Sequence, residues 1–92
     1  MKDIISFTEN VSSLISSGLS LCDALRICVD IDPNSENKKI YKSIYDKILQ
    51  GESFSFCLEL YPKVFPPLYV AMIKIGEKSG DVTKVMQRLV LY

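Results

Sequence analysis

Glu77 and Asp81 stand four positions apart around Lys78-Ser79-Gly80. Two carboxylates so placed, with carbonyls and water, would suit a divalent cation, but two alone do not define such a site. A plainer reading gives Glu77 to backbone N–H groups at a nearby turn, among them the start of the last helix, where negative charge is favoured. Direct contact with a partner protein is the third reading. The remaining reactive side chains reduce to ordinary roles. The run Ser12-Ser13-Leu14-Ile15-Ser16-Ser17 offers hydroxyls, yet the chain holds no histidine, which removes the commonest general base and the commonest zinc ligand. Gly76-Glu77-Lys78-Ser79-Gly80 has too few glycines for a phosphate loop and follows a helical pattern where a strand is needed. Lys38, Lys39 and Lys42 would suit a phosphate or an acidic lipid, but Glu36 and Asp46 flank them and mark a solvated helix face. Cys22, Cys28 and Cys57 form no CxxC pair, and an odd number cannot close as internal disulfides. A reducing compartment and small core residues follow. No catalytic set, cofactor site or metal site emerges, so no enzyme is expected.

Helices must position these residues. Apolar periodicity and glycine punctuation predict an all-α fold with helices near 3–17, 20–31, 34–50, 53–60, 66–78 and 81–91. The first carries Ile4, Phe7, Val11, Leu14 and Ile15 on one narrow face and reads as a covering helix. The second, with Leu21, Ala24, Leu25, Cys28 and Val29, and the fifth, with Leu68 to Gly76, have apolar arcs of roughly 200° and are expected to lie centrally. Asp32 is expected to cap the third helix, with Pro33 opening it. Gly76 inside the fifth costs about 1 kcal/mol relative to Ala, which points to close approach by a neighbouring helix. Pro66 and Pro67 suit that helix's first turn, and Phe65 is the natural plug for the bundle's end. The phrases Gly18-x-Ser20-Leu21-x-x-Ala24-Leu25 and Gly51-x-Ser53-Phe54-x-x-Cys57-Leu58 repeat one another, and Gly80-Asp81-Val82 is a looser third version. The pattern predicts a compact bundle of six antiparallel helices built from three helical hairpins.

The run Phe65-Pro66, then Met72-Ile73, then Gly76-Glu77-Lys78-Ser79-Gly80-Asp81-Val82 resembles the signature of the type II secretion system F family. Phe7 to Leu25, with Leu14-Ile15-Ser16-Ser17-Gly18-Leu19-Ser20-Leu21 and Ala24-Leu25, resembles the opening phrase of its soluble domain. Together the two phrases span most of the chain. Val82 stands where Leu is commoner, and Glu9-Asn10 replace basic and amide residues. The signature residues matched here are Phe65, Pro66, Gly76, Glu77, Ser79 and Gly80. The resemblance implies a cytoplasmic domain of the inner-membrane platform protein of type II secretion and type IV pilus machines. It also implies an assembly ATPase and other inner-membrane secretion or pilus components as partners.

At 92 residues the chain supports one domain, residues 1–92, and its 48% hydrophobic and 24% charged residues place it with folded proteins. Eleven basic residues offset eleven acidic ones, which argues against nucleic acid and against a general affinity for anionic membranes. No apolar run approaches the roughly 20 residues that span a bilayer, and no signal-peptide pattern opens the chain. Proteins of the family it resembles have transmembrane helices after such domains, so the resemblance implies a cytoplasmic piece excised from a longer membrane protein, attached to the membrane through segments absent from this chain. The resemblance further implies the function of a protein-interaction scaffold at the cytoplasmic face of the bacterial inner membrane. The alternative is a freestanding soluble helical adaptor or nucleic-acid-binding module. Apolar residues left over from the core, Ile5, Ile27, Ile31, Val70 and Leu91, form a candidate interface for a homodimer.

Overall fold

Each expected helix is present. The computed structural model describes the backbone of residues 2–90 and the side chains of residues 4–90. The helices are α1 (Lys2–Ser16), α2 (Leu21–Ile31), α3 (Ser35–Leu49), α4 (Phe54–Glu59), α5 (Pro67–Ser79) and α6 (Val82–Val90), and the described residues contain no strand.

One stop-and-start turn is used three times. Gly18, Gly51 and Gly80 take φ of 107°, 98° and 78°, the left-handed region that side chains resist and that reverses the chain at a helix end. The residue after each glycine then donates its N–H five residues back: Leu19 to Leu14 O (3.2 Å), Glu52 to Lys47 O (3.1 Å) and Asp81 to Gly76 O (2.9 Å). A capping oxygen follows at once. Ser20 Oγ accepts from Asp23 N (3.1 Å), Ser53 Oγ from Phe56 N (3.2 Å) and Asp81 Oδ1 from Lys84 N (3.0 Å). The internal repeat in the sequence is thus a repeat of turn chemistry.

The link from α2 to α3 differs from expectation. Asp32 closes α2 through its N–H to Cys28 O (3.2 Å), while its carboxylate accepts from Asn34 N (2.8 Å). Asn34 is the cap of α3, its side-chain oxygen accepting from Glu36 N (2.9 Å) and Asn37 N (3.1 Å). Pro33 therefore lies in the connection, and α3 opens at Ser35. Asp and Asn both suit a cap, and Asn34 takes the role because Asp32 is already folded over the connecting residues.

Consecutive helices pack on one another, and α1 closes the circuit against α6. Every helix contributes to the enclosed core, including Val11, Leu25, Ile44, Leu58, Ile73 and Met86, all fully buried. Phe65 is buried too, plugging the bundle between α4 and α5. Its ring meets Phe7 edge-on (5.7 Å) and Tyr69 at a tilt (5.6 Å), and Phe7 stacks on Tyr41 (4.6 Å). Thr8 Oγ1 donates to Ile4 O (2.6 Å) and shares a hydrogen bond with Tyr69 OH (2.7 Å), so this buried polar pair is satisfied.

Two expectations about position are corrected. α1 is more than a cover, because Phe7, Thr8, Val11 and Ser12 are all buried. α5 is less central than its apolar arc suggests: Tyr69, Val70, Ile73 and Gly76 are buried, whereas Leu68 is 51% and Ile75 57% exposed. In a closed circuit each helix has two flanking neighbours and one core, so its outward side stays in solvent whatever residues occupy it.

Candidate interaction site around the signature turn

Each signature residue makes an internal contact. Pro66 adopts φ −60° and ψ 154° at the cap of α5, and Pro67 occupies the first turn, where a missing N–H costs nothing. Phe65 fills the core beneath them. Gly76 lets α6 approach: a Cβ built there would lie 3.0 Å from Val85 Cγ2 and 3.2 Å from Val82 Cα. Ser79 Oγ donates to Gly76 O (3.3 Å), and Gly80 supplies the left-handed stop.

Glu77 reaches α4 rather than the start of α6. Its carboxylate accepts from Ser55 N (3.0 Å) and Ser55 Oγ (2.7 Å), tying α5 to the first turn of α4. Glu77 thus does accept a backbone N–H at a nearby helix start, and only the choice of helix is corrected, for a simple cause. The α6 start is capped by Asp81 itself, so its N–H groups have a nearer acceptor, while six-residue α4 has only Ser53. Glu77 and Asp81 thereby serve different helix starts, and each carboxylate is already engaged by a backbone N–H there. Beside the Glu77 contact, Lys74 pairs with Glu59 across the same two helices.

The thiols of Cys28 and Cys57 and the phenol of Tyr69 are held in their protonated forms. Burial pushes Cys28 up to about 11, with the Asp32 carboxylate adding to the effect. Burial also raises Cys57. Tyr69 is pushed up to about 12 by burial, against the opposing effect of its Thr8 hydrogen bond. Such groups pack; they do not react. The Lys38-Lys39-Lys42 face behaves as solvated surface, with Lys39 facing Glu36 (3.7 Å) and Lys42 facing Asp46 (3.4 Å).

An apolar groove of about 280 Å³ lies between the start of α1 and the α5–α6 pair. Ile4, Ile5, Pro66, Leu68, Tyr69 and Leu89 line it. Among the candidate interface residues, Ile5 is 54% exposed on its rim and Ile31 is 55% exposed at the end of α2. Ile27 is half-buried. Val70 is only 6% exposed and belongs to the core, because its position on α5 faces inward with Ile73, so it is withdrawn from the interface. Leu91 lies outside the described residues. The sequence reading missed Leu68 and Ile75 as surface, and the signal was their spacing with exposed Ala71 at i, i+3 and i+7.

Comparison with known proteins bears on the signature directly. Residues 7–92 match the family described as type II secretion system (T2SS), protein F. The type IV pilus assembly protein PilC of Myxococcus xanthus is 36% identical over 91 residues, covering 99% of this chain and 22% of the relative. The type II secretion system protein F of Xanthomonas campestris pv. campestris is 30% identical over 89 residues, covering 97% and 22%. The protein transport protein HofC homolog of Escherichia coli K12 is 34% identical over 74 residues, covering 80% and 18%. The chain thus spans about a fifth of the length of these relatives. With the match running from Phe7 through the Gly-Glu-Lys-Ser-Gly turn to the end, the chain belongs to the type II secretion system protein F family.

Proposed function

We propose that this chain is a cytoplasmic helical domain of an inner-membrane platform protein, a non-catalytic scaffold coupling an assembly ATPase to type II secretion or type IV pilus assembly. The observation that carries the reading is the use made of the signature. Phe65, Gly76, Glu77, Ser79 and Gly80 all spend their contacts inside the domain, holding α4, α5 and α6 together. Residues so employed maintain a shape and leave recognition to the exposed faces. ATP chemistry then belongs to the partner.

Titration calorimetry of the chain against the ATPase of the same machine is expected to show saturable binding. Absence of heat and of co-elution with both proteins at high micromolar concentration rejects the coupling role. The reading frame beyond Tyr92 is expected to continue into an apolar run of about 20 residues. A stop codon in its place rejects the membrane-platform reading. The scaffold is also proposed to pair as a homodimer through Ile27 and Ile31, four apart on α2. Sedimentation should then depend on concentration, and strictly monomeric behaviour at high micromolar concentration rejects pairing.

A further inference from the structure

The outward face of α5 and α6 combines apolar and basic residues and almost no free acid. Leu68, Ala71 and Ile75 form an exposed row along α5, with Met72 half-buried beside them and exposed Lys78 continuing the row. On α6, Val82 and Val85 press against Gly76, while Lys84 and Arg88 stand exposed on the side away from buried Val85, Met86 and Leu89. Lys78, Lys84 and Arg88 enter no ion pair among the described residues, where the pairs formed are Arg26–Asp23, Lys39–Glu36, Lys42–Asp46 and Lys74–Glu59. The nearby carboxylates are committed elsewhere. Glu77 is bound to Ser55, Glu59 to Lys74, and Asp81 caps α6 through the Lys84 N–H.

Net neutrality hides this polarity. From residue 63 onward the chain carries Lys63, Lys74, Lys78, Lys84 and Arg88 against Glu77 and Asp81. Residues 1–32 reverse the balance, with Asp3, Glu9, Asp23, Asp30 and Asp32 against Lys2 and Arg26. The expectation that zero net charge disfavours anionic surfaces therefore applies to the molecule as a sphere and not to this face.

We propose that the α5–α6 face seats on an anionic lipid leaflet, Leu68 and Ile75 entering the headgroup boundary while Lys78, Lys84 and Arg88 meet lipid phosphates. Apolar side chains flanked by unpaired cations are what interfacial binding uses, and anionic lipid supplies diffuse negative charge without a fixed geometry. A second copy fits poorly. A twofold contact through this row would gather the three cations of both copies into one interface with no free carboxylate to offset them. The proposal stands independently of the ATPase reading.

Flotation of the 92-residue chain with vesicles of phosphatidylglycerol and phosphatidylcholine tests it, with phosphatidylcholine alone as reference. Binding to the anionic vesicles, and release as salt rises, are expected. Each cation removed should weaken binding about fivefold, so that K78Q/K84Q/R88Q binds roughly a hundredfold more weakly. L68S/I75S should weaken it as well, and since all five positions are exposed, both variants should keep the helical circular dichroism spectrum. The proposal is overturned if no binding occurs, if neutral vesicles bind equally well, or if K38Q/K39Q/K42Q abolishes binding while K78Q/K84Q/R88Q does not. Sedimentation showing a dimer that L68S/I75S dissolves would assign the face to a second copy and overturn it too.

Discussion

Gly76 is the one glycine at which an added Cβ would meet a neighbouring helix. Val85 can swing a methyl away from a new Cβ, but the Val82 Cα at 3.2 Å belongs to the backbone of α6 and moves only with the helix. Gly76→Ala sets this crowding against a gain of about 1 kcal/mol in helix propensity, so its net effect is small. Gly76→Leu has no such compensation and should destabilise by more than about 2 kcal/mol, because the longer side chain overpacks the crossing. A denaturation midpoint unchanged by the Leu substitution would show that α6 does not lie there. The cysteines make a second residue-scale case. Cys28 and Cys57 are buried, whereas Cys22 is half-buried. Iodoacetamide applied to the native chain near pH 8 should label Cys22 first and leave the other two for the unfolded state, as mass mapping of peptides would reveal.

Helix boundaries were legible because each is written in local chemistry. A glycine stop and a capping oxygen lie within three residues of each other at Gly18-Ser20, Gly51-Ser53 and Gly80-Asp81, and all three behave as read. Competition between neighbours was not legible: Asp32 and Asn34 are both good caps, and which one serves α3 depends on where α2 ends. Nor was the partner of Glu77. Ser55 lies 22 positions away, and only the packing of α4 on α5 brings it within reach. α4 is the element most dependent on that contact, since a six-residue helix has little stability of its own. Glu77→Gln should cost about 1–2 kcal/mol, and amide exchange at Ser55 and its neighbours should accelerate more than exchange in α2. Equal acceleration in α2 and α4 would mean that Glu77 supports the fold as a whole and not the α4 start.

At the scale of the whole molecule, an apolar arc read from sequence does not reveal how many neighbours will cover it. Leu68 and Ile75 stay in solvent although their arc predicted a central helix, and Thr8 is buried although threonines are mostly exposed in folded proteins. The buried Thr8–Tyr69 pair links α1 to α5 through the core and gives global stability a pH dependence at the alkaline end. Tyr69 ionises near 10 when unfolded and near 12 in the fold, so the fold favours its protonated form. That contribution is complete below pH 10 and is lost as pH rises toward 12, on the order of 2–3 kcal/mol in all. Cys28 acts in the same direction from 9.0 to about 11, so the decline begins near pH 9. Thermal melts in reductant should show a Tm insensitive to these two groups from pH 7 to 9 and falling between 9 and 12. Cys28→Ala should shrink the early part of the fall, with Cys57, likewise raised by burial, supplying the remainder. Tyr69→Phe should lower Tm at neutral pH by the loss of one hydrogen bond, about 1 kcal/mol, yet fall less steeply above pH 10. A Tyr69→Phe curve parallel to that of the unsubstituted chain above pH 10 would show that the alkaline transition arises from charges at the surface and not from this buried link between α1 and α5.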